Sequence, residues 1–130
     1  MRRPEITSQD GLRDCILRSG HRDFVSMAEV QSCICGGLLA DLSIERQQLV
    51  VDTVRSLVED RLVVVGDIPG RNDPGFKTWP GTVDEVMTRF VDTFVGCYDD
   101  PLQWQYVIWL DLTAAGQQVS NALVGHAPDS

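Results

Sequence analysis

The chain is poor in positive charge, long apolar runs and histidine. Eleven lysine and arginine residues stand against nineteen acidic ones, a net charge of −8 over 130 residues. The deficit is uneven. Residues 1–22 hold five arginines and three acids, whereas residues 23–130 hold six basic side chains and sixteen acidic ones. A surface of that sign repels polyanions and favours basic partners or plain solubility. Apolar runs such as Leu62-Val63-Val64-Val65 are far too short to cross a membrane. The opening MRRPEITSQDG has arginines but no apolar stretch after them, so no signal peptide and a cytoplasmic location are expected.

Catalytic groupings are equally scarce. The two histidines, His21 and His126, fall in a loop and in the tail, without partners nearby in sequence. Gly36-Gly37 is not followed by the Lys-Ser/Thr pair of a phosphate-binding loop. The carboxylate pairs Asp84-Glu85 and Asp99-Asp100 are adjacent, so their side chains diverge. Cys33-Ile34-Cys35 lacks the two-residue spacing of zinc and redox motifs, and on a helix its thiols point about 200° apart. With Cys15 and Cys97 these are expected to be free structural thiols, as suits a cytosolic protein. No enzyme activity, cofactor or metal site is expected.

What is present reads as one folded domain over residues 1–130, with an ordered core at about 8–125. An apolar share of 43% against 23% charged residues gives enough material for a core. Ser8 caps a first helix with Leu12, Cys15 and Ile16 on one face, which Gly20 stops. Ser26-Met27-Ala28-Glu29 is a capping box opening a helix that ends at Gly36-Gly37. A turn-like connector, Leu38 to Leu42, leads to Ser43 as the cap of the longest helix. There Val50, Val51, Val54, Leu57 and Val58 form one apolar stripe, while Thr53 falls on the exposed side. RLVVVGDI follows as a strand, with Gly66 marking a bulge or the end of pairing. Three prolines and three glycines in residues 69–81 predict a loop.

Thr82-Val83-Asp84-Glu85 is a second capping box. Val83, Val86, Met87, Phe90, Val91, Phe94 and Val95 then keep helical spacing, the strongest amphipathic signal in the chain. Residues 105–112 alternate as a strand, with Ile108, Leu110 and Leu112 on one face and Trp109 and Asp111 on the other. Thr113 caps a last helix, with Val119 and Leu123 inward.

This order, together with SIERQQLVVDTVRSLVEDRLVVVGDI and the closing WLDLTAAGQQV, resembles the winged helix-turn-helix superfamily over about residues 8–125. The segment Gly75-Phe76-Lys77-Thr78-Trp79 is similar to the wing of small actinobacterial winged-helix-like proteins of unassigned function. The resemblance implies an α+β, mostly helical fold of about five helices. It adds a small two- or three-stranded antiparallel sheet and a helix inserted in the wing region.

The superfamily role would make residues 43–60 a recognition helix. Arg46, Gln47, Gln48 and Arg55 would then face DNA, with Arg71 and Lys77 on the wing. Phosphate neutralisation supplies most of such affinity, and this helix offers two arginines against four acids, Glu45, Asp52, Glu59 and Asp60. DNA-binding regulation is therefore the alternative reading. The favoured one is a non-catalytic acidic module that binds a basic protein partner, of inhibitor, immunity or regulatory type. Its expected face combines Trp79 and Trp109 with Asp84, Glu85, Asp92, Asp99 and Asp100, aromatic anchors ringed by acid. Trp109 has a second reading, and the favoured one, as core packed beneath the 82–95 helix. The broad apolar face of that helix also suits a homodimer.

Overall fold

The computed structural model describes residues 8–21, 24–35, 44–67, 76–100, 104 and 107–125. Its elements are α1 (Gln9–Ser19), β1 (Val25–Ser26), α2 (Met27–Cys35), α3 (Ile44–Glu59), β2 (Val63–Asp67), β3 (Lys77–Thr78), α4 (Val83–Phe94), β4 (Trp109–Leu112) and α5 (Ala114–Gly125). The fold is thus α+β and mostly helical. Its single sheet runs β1-β4-β2-β3, with every pair antiparallel.

Both predicted capping boxes form. The Ser26 and Thr82 hydroxyls accept the amides of Glu29 and Glu85, whose carboxylates accept the Ser26 and Thr82 amides in return. Ser8 and Gly20 cap α1 as expected. The α3 C-terminus is closed by a Schellman pair, Leu62 N–H to Leu57 and Arg61 N–H to Val58, which puts Arg61 at φ 60°. The helix stop at Gly36-Gly37, the connector at 38–42 and the Ser43 cap lie outside the described residues.

The sheet has four strands where two or three were expected, because β1 and β3 are two residues long and leave no alternation to read. β3 therefore lies inside the stretch predicted as loop. Gly66 neither bulges nor ends the pairing: it is in register with Trp109 on one side and Thr78 on the other. A methyl there would come 2.1 Å from the Lys77 carbonyl oxygen, so the close strand approach accounts for the glycine. β4 starts only at Trp109, since a turn joins Trp104 to Val107 and Ile108.

One core fills the space between helices and sheet, from Leu12 and Ile16 through Val54 and Leu57 to Leu110 and Leu112. Three helix faces differ from the spacing argument. Thr53 is buried and donates its hydroxyl to the Leu49 carbonyl, which satisfies it locally. Val95, at the end of α4, is 40% exposed. Val119 is 37% exposed because Gly116 and Ser120 hold the inner face of α5. The Ser120 hydroxyl donates to the Leu17 carbonyl and lies 3.3 Å from His21 Nδ1, so His21 is half-buried and engaged. A methyl on Gly116 would meet the Leu62 carbonyl oxygen at 2.0 Å, which sets how closely α5 approaches the β2 entry.

The expectation of free thiols is corrected for two of the four cysteines. Cys15 and Cys33 form a disulfide that ties α1 to α2 across a sequence separation of 18. The facing of the two helices brings them within reach, which spacing along the chain could not reveal. Cys97 is a free, exposed thiol. Among the described residues no helix is long and apolar enough to cross a membrane, and no three metal-ligating side chains cluster.

Candidate functional site

The predicted interaction residues do not form a single face. Trp79 is 4% exposed, so it is core and not an anchor. Its indole N–H donates to Asp67 at 3.1 Å, and the Arg89 guanidinium sits 4.0 Å over its ring. Trp109 is half-buried on the outer face of β4. The aromatic role expected of it beneath α4 falls to Trp104, which is 1% exposed. Its ring meets Phe94 edge-on at 4.9 Å and stacks on Tyr98 at 5.3 Å. The acids are placed as predicted: Asp84, Glu85, Asp92, Asp99 and Asp100 are all exposed.

Of the DNA candidates, Arg46 and Gln47 are half-buried, and Gln48 is exposed but donates to Asp52 at 2.9 Å. Arg55 is turned towards α4. Its guanidinium pairs with Asp84 and, at 3.1 Å, with Glu59 of its own helix. Those hydrogen bonds, Asp84 first, raise its pKa further above an already high value. Lys77 is exposed on the edge strand β3. Arg71 lies outside the described residues. Arg13, on α1, also pairs with a carboxylate, Asp60 at 2.9 Å.

What the fold does bring together is Arg55, Asp84 and Asp92. They border a shallow groove between α3 and α4 whose apolar lining is mostly core, Met87 at 3% and Val51 at 9% exposure with Val91 half-buried, and Thr88 is on its rim. The geometry follows from helix periodicity. Asp84, Thr88 and Asp92 are four apart and form one ridge of α4, while Met87 and Val91 form the next ridge inward. The Thr88 hydroxyl is occupied, donating to the Asp84 carbonyl at 2.8 Å. Asp92 has no ion-pair partner among the described residues. The position of the α4 N-terminus is fixed by its capping box, where the Thr82 amide and hydroxyl hold Glu85 below the usual carboxylate range.

The reading of Val51 and Met87 as core holds, and what sequence missed is the pairing of Arg55 with Asp84 across 29 residues.

The second carboxyl with a shifted pKa is Asp111 on β4, opposite Val64, raised mainly by burial and partly offset by the Leu112 amide. A raised native pKa means the ionised form is disfavoured in the fold, so stability rises as pH falls through it. Asp111→Asn is expected to be more stable than the wild type at neutral pH. The gap should close as pH falls towards the unfolded value near 3.8. Paired thermal melts across that range check this; a gap that widens on acidification contradicts it.

No protein-family model, curated protein or solved structure matches this chain.

Proposed function

We propose that the chain is a non-catalytic acidic interaction module on a winged-helix-type scaffold, acting on a basic protein partner as an inhibitor, immunity-type protein or regulator. The scaffold reading rests on element order: a capped helix pair, a long helix, a β2–β3 hairpin, and a closing β4–α5 unit. The observation that carries the functional reading is the state of Arg55. One of the two arginines of the long helix, Arg55, is held by Glu59 and Asp84, while Asp92, Asp99 and Asp100 stand exposed. Neutralised cations release few counterions from DNA, and uncommitted carboxylates steer a basic protein inward.

The alternative, a DNA-binding regulator, is favoured by the element order and the exposed Lys77 alone. Fluorescence anisotropy with labelled mixed-sequence duplex, at about 50 mM and 200 mM salt, separates the two. The proposal expects no saturable binding at either salt. Binding that weakens about a thousandfold between them would mean several neutralised phosphates and would replace this reading with the regulator.

A further inference from the structure

We infer that the Cys15–Cys33 disulfide is a redox switch, which a dithiol reductant enters at Cys15 in the folded protein and whose opening releases α2 from α1. The inference stands apart from the acidic-module reading. Two observations carry it: where the bridge lies, and how unequally its two ends are covered.

The bridge crosses the contact that docks α2. Among the described elements α2 packs mainly on α1 and β1, and β1 is the segment directly before it in the chain. α1 is anchored elsewhere without the sulfurs. Arg13 donates to Ser56 on α3 and to Asp60 just past its end, the Ser120 hydroxyl of α5 donates to the Leu17 carbonyl, and Gln117 donates to the Gly20 carbonyl. Met27, Val30 and Ile34 of α2 are buried, so the helix docks by apolar contact reinforced by one covalent bond. A crosslink at Cys33 keeps α2 beside α1 even when those contacts part. Without it, α2 opens as a local unit while α1 stays in place.

The two ends differ in cover. Cys33 is 4% exposed, whereas Cys15 is half-buried at the margin of the core. Arg18, exposed and three residues along α1, is a helical neighbour of Cys15 and has no ion-pair partner among the described residues. Asp14 is also exposed, but adjacent helix positions diverge by about 100°. Glu29, one turn before Cys33, has its carboxylate engaged by the Ser26 amide. The Cys15 side is therefore the open approach for an anionic thiolate.

The chemistry is thiol–disulfide exchange. The reductant's thiolate bonds to Cys15 Sγ, the Sγ–Sγ bond breaks, and its electron pair leaves on Cys33, which takes a proton. The second thiolate of the reductant then displaces Cys15, closing the reductant's own disulfide, and Cys15 takes a proton. In sum two electrons and two protons pass from dithiol to protein.

The probes, used on the full chain, are dithiothreitol and the monothiol glutathione, which stops at the mixed disulfide. Disulfide loss should be first order in dithiothreitol and change less than about twofold with urea below the unfolding transition, because attack falls on the folded chain. A rate that climbs with urea as global unfolding does would mean that the bridge opens only in the unfolded chain, and overturns the entry at Cys15. After glutathione and an acid quench, peptide mapping should find glutathione on Cys15 and Cys33 free for alkylation. Glutathione on the α2 peptide instead also overturns it. Hydrogen exchange tests the release: reduction should raise the exchange of α2 amides relative to α1 amides about tenfold or more. Protection lost throughout, or a ratio unchanged within about twofold, would mean that the bridge supports the whole fold alike and is no switch.

Discussion

Replacing Trp104 by alanine is expected to lower the unfolding free energy by about 4 kcal/mol, the middle of the range for emptying a large aromatic site in a core. Trp104 is buried, packed edge-on against Phe94 and stacked on Tyr98, with Phe94 in turn 5.7 Å from Phe90. Its indole N–H donates to the Tyr98 carbonyl at 3.2 Å, so truncation removes a hydrogen bond as well as volume. Phe94 and Phe90 sit on a helix fixed by its capping box and cannot collapse freely into the space. Against a typical total of about 5–15 kcal/mol, such a loss approaches the limit of folding. Trp104→Phe keeps most of the ring and loses the donor, and about 1.5 kcal/mol is expected from a lost hydrogen bond and a small void. Urea unfolding of both variants, followed by far-ultraviolet circular dichroism, measures the difference. An alanine variant within about 1 kcal/mol of the wild type would show that the aromatic cluster does not close the core beneath α4. The groove depends on the same packing, since Met87 and Val91 hold their positions only while α4 stays docked.

Reduction of the Cys15–Cys33 disulfide is expected to remove about 3 kcal/mol, the loop-closure entropy of a crosslink over a separation of 18. The loss acts mainly on the unfolded chain, which gains freedom once α1 and α2 are no longer joined. The native contacts around the sulfurs, with Leu12, Ile16, Val30 and Ile34 buried on the same two helices, persist in the reduced form. A lower urea midpoint with reductant, and wild-type behaviour of neither serine variant, would follow. Equal midpoints with and without reductant would contradict the crosslink. Peptide mapping without reduction gives an independent check, because the α1 and α2 peptides should elute joined.

Local signals in the chain were legible where the cause is local. The capping boxes at Ser26–Glu29 and Thr82–Glu85 place a hydroxyl and a carboxylate three residues apart, and the helix they open can hardly start elsewhere. The Ser8 cap, the Gly20 stop and the apolar stripe of α4 down to Phe94 were readable for the same reason. Trp79 and Val119 were misplaced because burial of a side chain depends on what another element brings to it. Trp79 is covered by Arg89 from α4, ten residues on, and Val119 is turned out because Ser120 meets α1 and Gly116 the β2 entry. Two-residue strands such as β1 and β3 carry no period, so only their partners define them.

The site follows the same division. The exposure of Asp84, Asp92, Asp99 and Asp100 was evident from charge and spacing, since isolated carboxylates stay in water. Their relation to Arg55 was not, because 29 residues separate Arg55 from Asp84 and only the packing of α3 on α4 brings guanidinium to carboxylate. By itself, then, the sequence determined the helix starts at Ser8, Ser26, Thr82 and Thr113, the stop at Gly20, the α+β composition and the negative charge, all of which arise from interactions within a few residues. The tertiary structure alone decided which tryptophan is core, which cysteines join and which arginine is neutralised. Those outcomes depend on contacts between segments distant in the chain, and no spacing along one segment encodes the partner it meets.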